Sequence, residues 1–339
     1  MAHLFESGFS VREVPWHGLG NVLDQSPENW TAAREAAGLQ WEPVAEPLYK
    51  LDGIDPDGRP IYTPVTTGQL ISRSDTRTEL ATVSGTYTLI THDEMGQIID
   101  AMTSATAQAN ARAGASKVVY ETAGVLDGGK AVWALLRLSD PVRLKGDPSE
   151  TLPYMGIFTR HDGAAALTVQ ATAVRVVCMN TWNAAQAEGE RSGAVYQFRH
   201  TKNWKDQVEQ AVDAITKARE SMAHWYEVAD ELLAQRVTTK QTELFIRAFV
   251  PEPPADVISD RVRGNIEATR GMIRTILEGK TCEGIAGTAW GLAQAAGEYA
   301  DHYRAAASAQ TKFNRSVLRA HPLKSKAVAL ARLAAADKL

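Results

Sequence analysis

Gly124-Val-Leu-Asp-Gly-Gly129-Lys130 has the glycine and lysine spacing of a phosphate-binding loop, in which backbone N–H groups and a lysine cradle phosphate oxygens. The next residue is Ala131, where magnesium coordination needs a Ser or Thr hydroxyl. The following AVWALLRL has the pattern of a strand where such a loop needs a helix. The motif therefore predicts a turn rather than nucleotide hydrolysis. Cys178 would act as a nucleophile only beside a base, and His161 and His200 are the candidates. At the end of an apolar strand, packing also accounts for this thiol. Cys178 and Cys282 are the two cysteines, with neither Cys-x-x-Cys nor His-x-x-x-His, so no zinc site and no cofactor are expected. His92, Asp93 and Glu94 have the types for metal or acid-base chemistry. Thr91-x-x-Glu94 ahead of Met95, Ile98, Ile99 and Met102, however, reads as a capping box at the start of a helix. Trp16-His17-Gly18-Leu19-Gly20 reads as a turn that buries its tryptophan.

Basic residues form the more informative grouping. Arg160 and His161 flank an Asp-Gly turn. Arg175 alternates with Leu167, Val169, Ala171, Ala173 and Val177 on one strand face, where it needs either a buried acid or a phosphate. Arg199, His200, Lys202 and Lys205 are interleaved with Tyr196, Phe198 and Trp204. Cations that track a backbone and aromatic faces for bases are what single-strand nucleic-acid binding uses, although the same block also suits a solvated helix start. Residues 1–150 hold 12 Lys+Arg against 20 Asp+Glu, net −8, and residues 151–339 hold 24 against 20, net +4. Residues 304–339 alone carry eight basic side chains, among them Lys324 and Lys326, and one acid, Asp337. Such asymmetry points to an anionic partner, or to pairing of the two halves.

Around these residues stands an ordinary globular composition: 339 residues, 44% hydrophobic, formal net charge −4. The opening MAHLFESGFS has no basic region followed by an apolar one, so no secretory leader is expected; neither is a membrane span, and a cytoplasmic location follows. Ser26-Pro27-Glu28 predicts a short helix closed by Gly38, and five prolines over residues 42–64 predict loop and edge. TTGQLIS and ELATVSGTYTLI predict a hairpin, a helix follows Thr91, and residues 117–178 predict two further hairpins with Asp-Gly turns. Asn180 and Thr181 look like caps for another helix. From Trp204 through Val208, Ala211, Ile215, Ala218, Met222, Trp225 and Ala229 to Leu232 the spacing alternates four and three, predicting a long helix with a coiled-coil seam, against later helices or a second subunit. PEPPADV at 251–257 breaks the chain, and helices over 258–278, 282–307 and 309–337 complete the pattern. The fold class is α+β: an antiparallel β-meander with helices packed on one face, then a heptad-patterned helix and a helical C-terminal region. The expected divisions are a lead-in over 1–60, a sheet core over 61–202 and a helical region over 203–339.

VPWHGLGN, SGTYTLITHDEMGQIID, AGVLDGGKAVWALLRL, AVRVVCMNTWNAA, FRHT and GTAWGLAQAAGEYADH resemble the uncharacterised phage/plasmid-like family built on domain of unknown function nine-three-two, most specifically at Arg175-Val-Val-Cys178-Met-Asn180-Thr181. The resemblance implies a mobile element in a bacterial host and no established activity. In element order the core is similar to single-strand annealing recombinases of the Red-beta and RecT type, a fold-level analogy. The leading expectation is thus a non-catalytic, homo-oligomeric protein that binds and anneals single-stranded DNA. Arg160, His161, Arg175, Arg199, Lys202, Lys205, Lys324 and Lys326 would contact it, and Trp182 and Trp204 would stack on bases. The alternative is a protein-interaction or counter-defence module that uses its acidic half to bind a host or phage protein. A third reading is an enzyme centred on Cys178.

Overall fold

The computed structural model describes residues 5–12, 20–113, 118–175, 180–183, 195–198, 222–254, 259–305 and 322–339. In chain order its elements are β1 (Phe5–Val11), β2 (Asn21–Leu23), α1 (Trp30–Ala36), β3 (Pro43–Ile54), β4 (Pro60–Arg73), β5 (Glu79–Ser84), α2 (His92–Ala113), β6 (Val119–Leu126) and β7 (Ala131–Arg137). Then come β8 (Val142–Arg143), β9 (Glu150–Arg160), β10 (Leu167–Arg175), β11 (Asn180–Asn183) and β12 (Val195–Phe198). The helices α3 (222–234), α4 (Thr239–Phe249), α5 (Asp260–Glu278), α6 (Ala289–Glu298) and α7 (Pro322–Ala335) follow. The class is α+β, as the element pattern predicts.

These elements divide into two units. The first holds the described residues up to Ser139 together with 155–170 and 195–198; the second holds 140–154, 171–175, 180–183 and the described residues from 222 on.

In the first unit β10, β9, β7, β6, β1 and β2 are neighbours in that order, with β12 also on β10. The Asp-Gly turns sit where expected, because a tight reversal needs positive φ: Asp127, Gly128 and Gly129 have φ of 58, 63 and 96°, and Gly163 has 71°. Helix α2 begins with the predicted capping box, Thr91 N–H donating to Glu94 Oε2 at 3.0 Å and Glu94 N–H to Thr91 Oγ1 at 3.1 Å. Its apolar stripe, Met95, Ile98, Ile99 and Met102, is buried against Ile71, Ala123, Val125 and Ile157. Helix α1 starts three residues later than the sequence predicts, because Asn29 rather than Ser26 caps it, accepting from Ala32 N–H at 2.9 Å.

Gly96 on α2 allows the close approach of Trp30, whose indole N–H donates to the His92 carbonyl at 2.9 Å. A Cβ at Gly96 would lie 2.1 Å from Trp30 Cδ1. Gly96→Ala should therefore cost about 1–3 kcal/mol through overpacking, although alanine is the better helix former. Urea unfolding measures this, and an unchanged midpoint would show that Trp30 does not pack there.

Residues 43–73 correct the sequence reading. The proline-rich lead-in is a long hairpin, β3 pairing with β4 from Pro43↔Arg73 to Ile54↔Pro60. Asp55 Oδ1 closes its tip by accepting the N–H groups of Asp57 and Arg59 at 2.9 and 2.8 Å, with Gly58 at φ 80°. β5 completes a three-stranded sheet separate from the larger one, pairing only with Gly68–Ser72 of β4. The predicted TTGQLIS hairpin is thus real but belongs to this small sheet.

In the second unit, residues 180–183 form β11 on β10, not the helix predicted from Asn180 and Thr181; Trp182 pairs with Ala173, and β-formers outweigh the capping signal. The last four seam positions, Met222, Trp225, Ala229 and Leu232, are buried, and Trp225 packs on Trp290 of α6 with ring centroids 5.6 Å apart. For Trp225 among these positions the seam's partner is a later helix of the same chain. The earlier ones, Trp204 to Ala218, lie outside the described residues. α6, rich in Ala and Gly, is buried along its whole length, and Trp290 donates its indole N–H to Asp147 Oδ2 at 2.9 Å. The predicted 282–307 helix is in fact this ten-residue helix, running into a π-turn at Tyr299–Tyr303.

Candidate functional site

The residues expected to contact phosphate fare differently from one another. Arg160 is buried, with its guanidinium held between two acids: Nη2 donates to Asp127 Oδ2 at 2.8 Å, and Nε donates to Asp162 Oδ1 at 2.9 Å. Burial opposes ionisation of Asp162, but the bonds from Arg160 and from Ala164 N–H outweigh it and hold this carboxyl below its ordinary range. His161 is completely buried. Lys324 is completely buried too, in a close ion pair with Asp301. Lys326 is half-buried and donates to the Phe249 carbonyl at 3.0 Å. The phosphate-contact roles of Arg160, His161 and Lys324 are therefore corrected: these side chains neutralise or complete the interior. Arg175 and Trp182 occupy register positions on one face of the β10–β11 ladder. Arg199, His200, Lys202, Trp204 and Lys205 lie outside the described residues, as do Cys178 and the Trp16-His17 turn.

His161 instead joins a buried polar cluster in the first unit. His92 Nδ1 lies 2.8 Å from the Trp41 carbonyl, which can only accept, so Nδ1 carries the proton and Nε2 is bare. His92 Nε2 is 3.2 Å from His161 Nε2, which is then the donor. Burial, aided by the nearby Arg34 and Arg73 guanidiniums, pushes His92 down to about 3, against the pull of its carbonyl acceptors. Glu42 accepts the His92 backbone N–H at 2.7 Å and pairs with Arg34 at 2.6 Å. Arg73 lies 4.1 Å over the Trp41 ring. Two imidazoles at this spacing have the geometry for a proton relay, but both are sealed from solvent, so the cluster ties the root of β3 to the start of α2. Among the described residues, no group of three or more His, Cys, Asp or Glu side chains is placed to hold a metal ion. No helix among them is long and apolar enough to cross a membrane.

The surface feature that sequence reasoning missed is the face of the β3–β4 ribbon. Cross-strand pairing places Tyr49 with Pro64, Leu51 with Tyr62 and Ile54 with Pro60. Asp52 is an extra residue in β3, and this bulge returns Ile54 to the face of Leu51 and Tyr62. One face thus carries six apolar residues without a polar interruption, while the other mixes Lys50, Thr63, Gly53 and Ile61. Tyr49, Leu51, Ile54 and Tyr62 are 57%, 59%, 68% and 60% exposed. The alternation of residues 49, 51, 60, 62 and 64 was present in the sequence, masked by prolines that read as loop.

No curated protein and no solved structure matches the chain. One family model, described as Domain of unknown function (DUF932), matches residues 79–321, well over half of the chain, and the protein belongs to that family.

Proposed function

We propose that this chain is a non-catalytic protein-contact module of a mobile element, and that it works through the apolar face of the β3–β4 ribbon. The observation that carries this reading is the uninterrupted stripe of Tyr49, Leu51, Ile54, Pro60, Tyr62 and Pro64. An exposed apolar patch of this kind marks an interaction surface. The mobile-element context rests on the sequence resemblance alone. Among the described residues, several basic side chains favour the protein reading over a nucleic-acid one, because they are paired within the chain: Arg160 with Asp127, Lys324 with Asp301, Arg270 with Glu267 and Arg274 with Glu243. Single-strand annealing stands as the second reading, favoured by the basic and aromatic residues interleaved over 196–205 of the sequence.

A photo-crosslinking amino acid at Leu51 tests the first reading in cells that express the full chain. The expected result is a covalent adduct with a protein from position 51 and none from Thr63 on the opposite face. No protein adduct at 51, together with tight binding of a labelled single strand that falls by about a thousandfold between 50 and 200 mM salt, would overturn it in favour of annealing.

A further inference from the structure

The ribbon itself identifies what covers it. Beyond the reach of β5, residues 48–65 form two strands with no third neighbour among the described residues, and an isolated two-stranded hairpin is marginal in water. Its edges are poor templates for an added strand. Pro47, Pro60 and Pro64 remove N–H donors, and the Lys50–Asp52 ion pair, at 2.8 Å, lies on β3. What remains is face-on packing, the arrangement in which two sheets stack about 10 Å apart.

Resting on the protein-contact reading above, we propose that the occupant is a second copy of this chain, with two β3–β4 ribbons stacked apolar face to apolar face. The stripe is self-complementary. Leu51 and Tyr62 are the middle pair of three, so a two-fold axis through them lays Tyr49 and Pro64 of one copy over Ile54 and Pro60 of the other. At roughly 200 Å² per large side chain, the exposed fractions of Tyr49, Leu51, Ile54 and Tyr62 offer on the order of 500 Å² per copy. Two copies, with the exposed prolines added, reach the ~1,000–1,200 Å² at which specific interfaces begin. Charge allows the match: Lys50 and Arg59 against Asp52, Asp55 and Asp57 leave the ribbon at net −1, whereas residues 1–150 as a whole carry −8. An isologous contact of this kind closes at two subunits.

Sedimentation equilibrium of the full-length chain over a concentration series tests the proposal. The wild type should show a monomer–dimer equilibrium. The double variant Leu51→Lys/Tyr62→Lys, whose sites are solvent-exposed and whose folding circular dichroism verifies, should dissociate about thirtyfold more readily or worse. Thr63→Lys, on the opposite face, should leave the equilibrium unchanged. A wild type that stays monomeric, or a dimer indifferent to Leu51→Lys/Tyr62→Lys, overturns self-pairing. If position 51 then still crosslinks to a different protein in cells, only the choice of occupant has failed; if it crosslinks to none, the contact reading fails as well.

Discussion

Lys324→Ala should destabilise the protein by roughly 3–5 kcal/mol, the loss expected when one partner of a buried ion pair is removed. Lys324 and Asp301 are both buried, and the ammonium is in close contact with the carboxylate. Truncation removes the buried cation that balances an interior carboxylate, which costs far more than the attraction of an exposed pair would be worth. Replacing both partners, as Lys324→Met/Asp301→Leu, should recover most of the loss, because two apolar side chains of similar length need no counterion. Urea denaturation of the two variants beside the wild type measures both changes. A loss below about 1 kcal/mol for Lys324→Ala is the value of a surface pair and would place the ammonium in solvent.

Acidification should weaken the protein in two overlapping stages. His92 is neutral when folded, with its pKa depressed to about 3, and near 6.5 when unfolded. Between those values the unfolded state binds the extra proton, so stability rises with pH and is lost as pH falls from 6.5 toward 3. The full shift corresponds to on the order of 5 kcal/mol. Asp162 and Asp75 act lower, since both are held below the ordinary carboxylate range by arginines, Asp75 at about 2. What they contribute is present above pH ~4 and disappears as they protonate. The Cε1–H resonance of His92, followed by NMR from pH 8 to 4, should not titrate. A midpoint near 6.5 would mean that its ring reaches water.

Local signals were the legible ones. The Thr91–Glu94 box, the positive-φ Asp-Gly turns and the seam through Trp225 and Leu232 depend on residues a few positions apart, and each appears where the sequence puts it. Failures came where the deciding partner is distant or where one residue type has two uses. Arg160 is held by Asp127, 33 residues away, as well as by the adjacent Asp162, and Lys324 by Asp301, 23 away, and no periodicity encodes the distant pairings. Proline ends a central strand but is tolerated on a strand whose N–H faces no neighbour, so β3 and β4 passed for loop. Asn180 and Thr181 would cap a helix, yet Asn180 pairs with Arg175 across a ladder. The ribbon's apolar face could have been found from the alternation of Tyr49, Leu51, Tyr62 and Pro64, had the prolines been read as edge residues.

The pairing of β1 with β6 also sets the timing of biosynthesis. Ser10 meets Thr122, so β1, which the short β2 covers on one side, waits for more than a hundred further residues before its antiparallel partner on the other side is made. At about 5–20 residues per second that wait is on the order of ten seconds. The ribbon, whose strands are separated only by its five-residue tip, closes within about ten microseconds of its synthesis. A nascent chain therefore carries a finished ribbon and a β1 still without its β6 neighbour for an interval set by the rate of translation and not by the rate of folding.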